Sequence, residues 1–270
     1  MGWISTRGLF MAGGSVALAG LLTAAPAGAA PASAAAVPAV ARQAGYVATG
    51  STFRYVQAVI MVPGLPCTAG ADMPRLYVTL AGPGEDARAG VLCEGSGPWR
   101  GFVQVSDSAW RAPVFAAFAL PGVRPGQGVF ASVYAGTRGS AQCSLTLPDG
   151  ATVGRAVQLP GRVFTQAGAL ADWAGAGGLP AAPVPAQQVR VTRFLSGAIT
   201  TETGQRGVFT GPWTKKGKLS RLPWALRRYE VAAAGRGGHP ATAAPSYLWS
   251  DGTQSVFGSR GNAFGIWLHS

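Results

Sequence analysis

From residue 44 to about 210, apolar and polar side chains alternate in short runs bounded by glycine and proline, the pattern of half-buried β-strands. In "TFRYVQAVIMV", Phe53, Tyr55, Gln57, Val59 and Met61 fall on one face, and Arg54, Val56, Ala58, Ile60 and Val62 on the other. "QGVFASVYAG" sets Val129, Ala131, Val133 and Ala135 against Phe130, Ser132 and Tyr134. The same reasoning predicts strands over residues 76–80, 101–105, 114–120, 144–147, 152–157 and 189–195. Turns are expected at Gly82-Pro83-Gly84, Pro121-Gly122, Pro125-Gly126 and Pro148-Asp149-Gly150. Glu85, Asp86 and Glu94 lie in Gly/Pro-rich stretches and read as solvent-facing loop residues. One short helical turn is predicted over Gln166–Trp173, "QAGALADW". Many short strands with regular turn signals imply an all-β fold, an antiparallel sandwich or barrel.

The two ends of the chain differ from this middle. Arg7 precedes an apolar run from Leu9 to Ala25, and the small-residue patterns Ala27-Gly28-Ala29 and Ala32-Ser33-Ala34 follow. That order is expected of a secretory signal peptide and an Ala/Pro-rich leader over residues 1–36, with an uncleaved anchor as the alternative. No later stretch approaches the roughly 20 apolar residues of a spanning helix. Residues 175–187, "GAGGLPAAPVPAQ", fit either a domain linker or a surface excursion. Between Arg206 and Arg236 eight basic residues face one acid, Glu230, with Trp213, Trp224 and Tyr229 interleaved. We expect a sandwich domain over residues 44–204 and a basic, aromatic β extension over 205–270.

Charge and cysteine content narrow the chemistry. The formal net charge is +12. Arginine far outnumbers lysine and Asn262 is the single asparagine, ratios that a GC-rich coding sequence produces, so the basicity is not read as nucleic-acid binding. An exported cationic chain is drawn instead to anionic cell-wall polymer, in a salt-sensitive way. Lys215, Lys216, Lys218, Arg227, Arg228, Trp213 and Trp224 are the candidate binding residues for such a partner; a basic loop whose aromatics simply pack is the competing reading. Of the three cysteines, Cys67 and Cys93 both fall at strand-to-loop transitions and are expected to pair, stabilising the fold by about 3 kcal/mol. Cys143 is expected to be a buried apolar residue. His239 and His269 have no ligand-spaced partners, so no metal or other cofactor is expected. No Gly-x-Ser-x-Gly elbow and no phosphate loop occur.

Four segments together resemble the glutamic peptidases, the eqolisin family of secreted acid endopeptidases. "AGYVATGSTFRYVQAVIMVP" is similar to the family's first two strands, "RAG" at Arg88–Gly90 stands where the family has its catalytic Gln, "GVRPGQGVFASVYAG" is similar to its Pro-Gly-Asp strand start, and "ADW" at Ala171–Trp173 falls where it has Ala-Glu-Trp. The resemblance implies a concanavalin-like jelly-roll β-sandwich. It also implies a Glu acting as general base and acid, beside a neutral amide that stabilises the oxyanion. Here both positions differ. Arg88 places a permanent cation where an amide belongs, and Asp172 is shorter by one methylene. Gln43 and Ile60 replace two of the family's tryptophans. The expectation is therefore a secreted scaffold that lacks an intact dyad and acts by binding, a polypeptide being one partner. The alternative is an acid endopeptidase with a modified Asp172/Arg88 pair.

Overall fold

Alternation has become strand almost everywhere it occurs. The computed structural model describes residues 42–65, 67, 74–93, 97–136, 139–173, 183–185, 189, 192–209, 214–215, 218–219, 224–234, 239–247 and 263–269. The leader, most of the 175–187 stretch, Glu94, Trp213 and Lys216 lie outside the described residues. The chain runs β1 (Gln43–Thr49), β2 (Phe53–Met61), β3 (Arg75–Ala81), β4 (Glu85–Leu92), β5 (Arg100–Asp107), β6 (Val114–Ala119), β7 (Gly128–Gly136), β8 (Ser140–Thr146), β9 (Thr152–Gln158) and β10 (Gln166–Asp172). It continues through β11 (Val184–Pro185), β12 (Arg193–Thr201), β13 (Arg206–Gly207), β14 (Thr214–Lys215), β15 (Lys218–Leu219), β16 (Ala225–Tyr229), β17 (Val231–Ala234), β18 (Pro240–Tyr247) and β19 (Phe264–His269).

Hydrogen bonding orders the described strands into two large sheets. One runs β16-β1-β10-β3-β4-β5-β6; the other runs β11-β17-β18-β19-β12-β2-β7-β8-β9, with β13 attached to β12. Described neighbours pair antiparallel, apart from β11 with β17. The C-terminal strands thus extend both sheets: β16 pairs with β1, and β19 pairs with β12.

The two sheets share one core, built by period-two burial. Val56, Ala58 and Ile60 of β2, Val129, Ala131 and Val133 of β7, and Ala141, Cys143 and Leu145 of β8 are fully buried. Ala44 and Ala48, Ala87, Ala89 and Val91, and Ala167, Ala169 and Ala171 meet them from the seven-stranded sheet. Burial pushes the Cys143 thiol up to about 12, so it is an inert core group at neutral pH.

Three expectations need correction. The helical turn over Gln166–Trp173 is strand β10, paired on both sides, to β1 and to β3. Its alanines suit a helix by propensity, but seven residues are too few to hold one, and burying Ala167, Ala169 and Ala171 on one face favours the sheet. Glu85 and Asp86 are not loop residues: they open β4. The Gly82-Pro83-Gly84 turn before them is so tight that the Gly82 N–H donates to the Glu85 carbonyl at 2.9 Å, with Gly84 at φ 92°. Glu85 is buried, and Asp86 is half-buried. The strand expected over 189–195 begins at Arg193 and runs to Thr201, bulged between Leu195 and Ala198 where Ser196 adopts φ 50°.

Cys67 and Cys93 are disulfide-bonded, with Cα atoms 5.4 Å apart and a sequence separation of 26. The bridge ties the β2–β3 connection to the end of β4. Replacing both cysteines with alanine should remove about 3 kcal/mol and lower the melting temperature by about 10 °C. Differential scanning calorimetry checks this; an unchanged transition would mean the loop closure contributes nothing to stability.

Candidate functional site

The alternation that fills the core leaves the opposite side of the seven-stranded sheet to carry the polar groups. Register fixes which side chains share that outer face. Asp172 lies between Gln43 of β1 and Arg75 of β3; Leu170 lies between Gly45 and Tyr77; Arg88 of β4 lies between Thr79 and Gln104. Arg75 and Thr79 are four residues apart on β3, so the strand positions of Asp172 and Arg88 are offset by roughly 13 Å along the sheet. The two residues that the sequence points to therefore share a face but are not adjacent, and Tyr77 stands between them.

Tyr77 is the centre of the arrangement. It is buried although it points outward, packed with Val47, Leu92, Phe102, Leu170 and Tyr229 in an apolar cluster separate from the main core. Its ring meets Phe102 edge-on at 6.2 Å, and Phe102 stacks on Phe115 at 6.1 Å. Gly90 lies between Tyr77 and Phe102 in register. A Cβ there would come within 2.0 Å of the Leu76 carbonyl and 2.7 Å of the Tyr77 Cα, so the "RAG" glycine is required by backbone approach. Burial raises the Tyr77 phenol above its ordinary value, with the opposing effect of Arg88 smaller, and it stays protonated through the acid and neutral range.

Two sets of polar contacts converge on this ring. On one side the Gln43 amide nitrogen donates to the Tyr77 hydroxyl at 3.1 Å and to the Asp172 carboxylate at 3.4 Å. An amide has two hydrogens, and both are used. On the other side the Arg88 guanidinium lies 4.9 Å from the Tyr77 ring centre and pairs with Asp86 through two nitrogens, Nε to Oδ1 at 2.9 Å and Nη2 to Oδ2. Asp86 and Arg88 are two residues apart on one strand and so project to the same face. Burial raises the Asp86 carboxyl above the ordinary carboxylate range; the attraction of Arg88 opposes this and is smaller. Arg88 is thus an anchored cation, held by the Asp86 carboxylate and the Tyr77 ring.

The candidate binding segment is dispersed. Lys215 and Lys218 pair across the short β14–β15 ladder, while Trp213 and Lys216 lie outside the described residues. Arg227 is exposed on the outer face opposite Val47, and Arg228 forms an exposed ion pair with Glu230 at 2.6 Å. Trp224 is a core residue, edge-on to Phe53 at 5.8 Å, and offers no stacking surface. Among the described residues no group of three His, Cys, Asp or Glu is placed to hold a metal ion. No helix among them is long and apolar enough to cross a membrane.

Sequence reasoning missed Tyr77, Asp86 and Phe102 as site residues and treated Gln43 only as a departure. The departure was itself the signal: an amide standing where the resembled family has tryptophan.

The Asp86–Arg88 pair sets a pH dependence. Because the folded-state pKa of Asp86 is raised, its contribution to stability is fully present below the unfolded value of about 3.9 and is lost as pH rises through the folded value. Removing the Arg88 cation widens that loss. Arg88→Gln should therefore match the native protein near pH 3 and fall behind by about 1–2 kcal/mol at pH 7. Chemical denaturation at the two pH values tests this; a deficit independent of pH would count against the pairing.

No protein-family model matches the chain, and no curated protein aligns with it. Solved structures do. Scytalido-glutamic peptidase with a transition-state analog inhibitor superposes with a TM-score of 0.54 at 13% identity, over 85% of this chain and 99% of that one. SCP-B, a member of the eqolisin family of peptidases in complex with the tripeptide Ala-Ile-His, gives a TM-score of 0.51 at 13% identity, over 85% and 99% of the two chains. At such low identity the likeness establishes architecture alone: this chain has a glutamic-peptidase-like antiparallel β-sandwich fold.

Proposed function

We propose that this chain is an exported β-sandwich that keeps the glutamic-peptidase architecture and captures polypeptide on the outer face of its seven-stranded sheet without hydrolysing it. The reading rests above all on the state of two donors on that outer face. Arg88 is held by Asp86 and by the Tyr77 ring, and both amide hydrogens of Gln43 are given to Tyr77 and Asp172. Gln43 has no hydrogen left for negative charge developing on a carbonyl oxygen, and Arg88, though it keeps N–H groups that Asp86 does not use, is a charge-paired cation rather than the neutral amide that such a site employs. Exposed Phe115, backed by the buried rings of Phe102 and Tyr77, supports polypeptide as the ligand, because it gives an apolar side chain a firm aromatic contact. The disulfide fits an oxidising compartment.

A second reading, an acid endopeptidase with a modified pair, is favoured by one observation. Gln43 and Asp172 place an amide and a carboxylate 3.4 Å apart, the two functional groups the resembled family employs. It requires the amide to release Asp172 when substrate arrives.

Incubating the mature protein with denatured casein from pH 2 to 7 separates the two. Capture reads as casein retained on immobilised protein with no new fragments by mass spectrometry, equally for the native protein and Asp172→Ala. Pepstatin-resistant fragments that disappear in Asp172→Ala would overturn it and establish the second reading.

A further inference from the structure

The seven-stranded sheet ends on β6, and this edge is built unlike the other described edges. β16, at the far end of the same sheet, carries Arg227 and Arg228, and β9, ending the other sheet, carries Arg155 and the side-chain-free Gly154. Charges and irregularities of that kind block unwanted strand pairing. β6 reads Val114-Phe115-Ala116-Ala117-Phe118-Ala119, without a charge, a glycine or a proline. Its described partner is β5 alone, so one row of its backbone N–H and C=O groups faces outward. Phe115 is 42% exposed on it. That ring packs through buried Phe102 to buried Tyr77, so one row of packed rings joins the edge to the candidate site.

We infer that β6 is a strand-addition site at which an extended polypeptide with an apolar centre and acidic ends pairs with the sheet. This rests on the capture reading above and specifies where and how capture occurs. Unpaired main-chain groups call for a ligand with main-chain groups of its own, which favours polypeptide over a glycan or lipid. Six residues of edge span about 20 Å, room for a hexapeptide core. The flanks choose the charge. Exposed Arg111 precedes the strand and exposed Arg124 follows it, while Arg100, opposite Ala119, already donates to the Ala117 carbonyl at 3.5 Å. The nearby carboxylate, Asp107, is buried and already bound by Arg162 at 2.8 and 3.0 Å. A second copy of the chain would bring the same arginines and a net charge of +12 to the same edge, so charge disfavours self-pairing.

The test uses a synthetic peptide, Glu-Val-Thr-Val-Thr-Val-Thr-Val-Glu, and two versions of it N-methylated at alternate residues in opposite phase. In strand pairing, alternate residues direct their hydrogen bonds to the neighbour while the rest point away. One methylated phase should bind about a hundredfold more weakly than the parent and the other within about threefold, because three or so main-chain bonds are lost in one phase only. Phe115→Thr should weaken the parent peptide about tenfold at unchanged melting temperature. If both methylated phases bind like the parent, or the parent fails to bind while casein is still captured, edge pairing is wrong and capture stands. If neither casein nor peptide binds, both readings fall. Sedimentation showing a dimer that Phe115→Thr dissolves would give the edge to a second copy and overturn the proposal.

Discussion

The outer face depends on one packing constraint: an aromatic ring must be buried on the solvent side of a sheet whose other side already serves the core. Tyr77 meets it because its neighbours make room. Gly90 has no side chain to contest the space beside it, and Leu170, Leu92, Val47 and Phe102 close around its rim. Once buried, the phenol governs what surrounds it. Its hydroxyl fixes the Gln43 amide, and Gln43 in turn reaches Asp172. Its ring face holds the guanidinium that Asp86 secures. Every polar contact of the candidate site is therefore one step from a single side chain.

This explains why a scaffold resembling a peptidase is read as a binder. Hydrolysis needs a base with access to water and a donor with a vacant hydrogen; here the Gln43 amide is given to Tyr77 and Asp172, and the Arg88 charge is matched by Asp86. The same contacts leave a buried apolar cluster between two polar margins. Binding and chemistry make opposite demands on hydrogen-bond donors: binding tolerates groups already satisfied, and chemistry does not.

How much of this was legible in the sequence follows from which physics each feature obeys. Strict alternation around Val56, Ala58 and Ile60, and around Val129, Ala131 and Val133, marked β2 and β7 because each has one wholly buried face. The disulfide was legible from two cysteines at strand ends. β10 was not, since an Ala-rich heptad satisfies helix propensity and sheet burial equally and only tertiary pairing decides. β4 was hidden behind the Gly82-Pro83-Gly84 turn, whose punctuation masked the alternation of Asp86, Arg88 and Gly90 after it. The site is a different case. Short motifs aligned by order pointed to Arg88 and Asp172 without their spacing, because that is set by register across β3, which linear order does not encode. Tyr77 had no signal at all, because an outward tyrosine on a strand is ordinarily exposed.

The position of β1 carries a last consequence. It lies between β10 and β16, whose paired residues follow it by well over a hundred positions, while the strand immediately after it, β2, belongs to the opposite sheet. The earliest-made strand thus has no early mate. It must wait until most of the polypeptide has emerged before either of its flanks can be zipped, so assembly is dominated by distant encounters and is intrinsically slow. Among the described strands, β1 stays unpaired at least until β10 has been made, a kinetic property written into strand order rather than into any one residue.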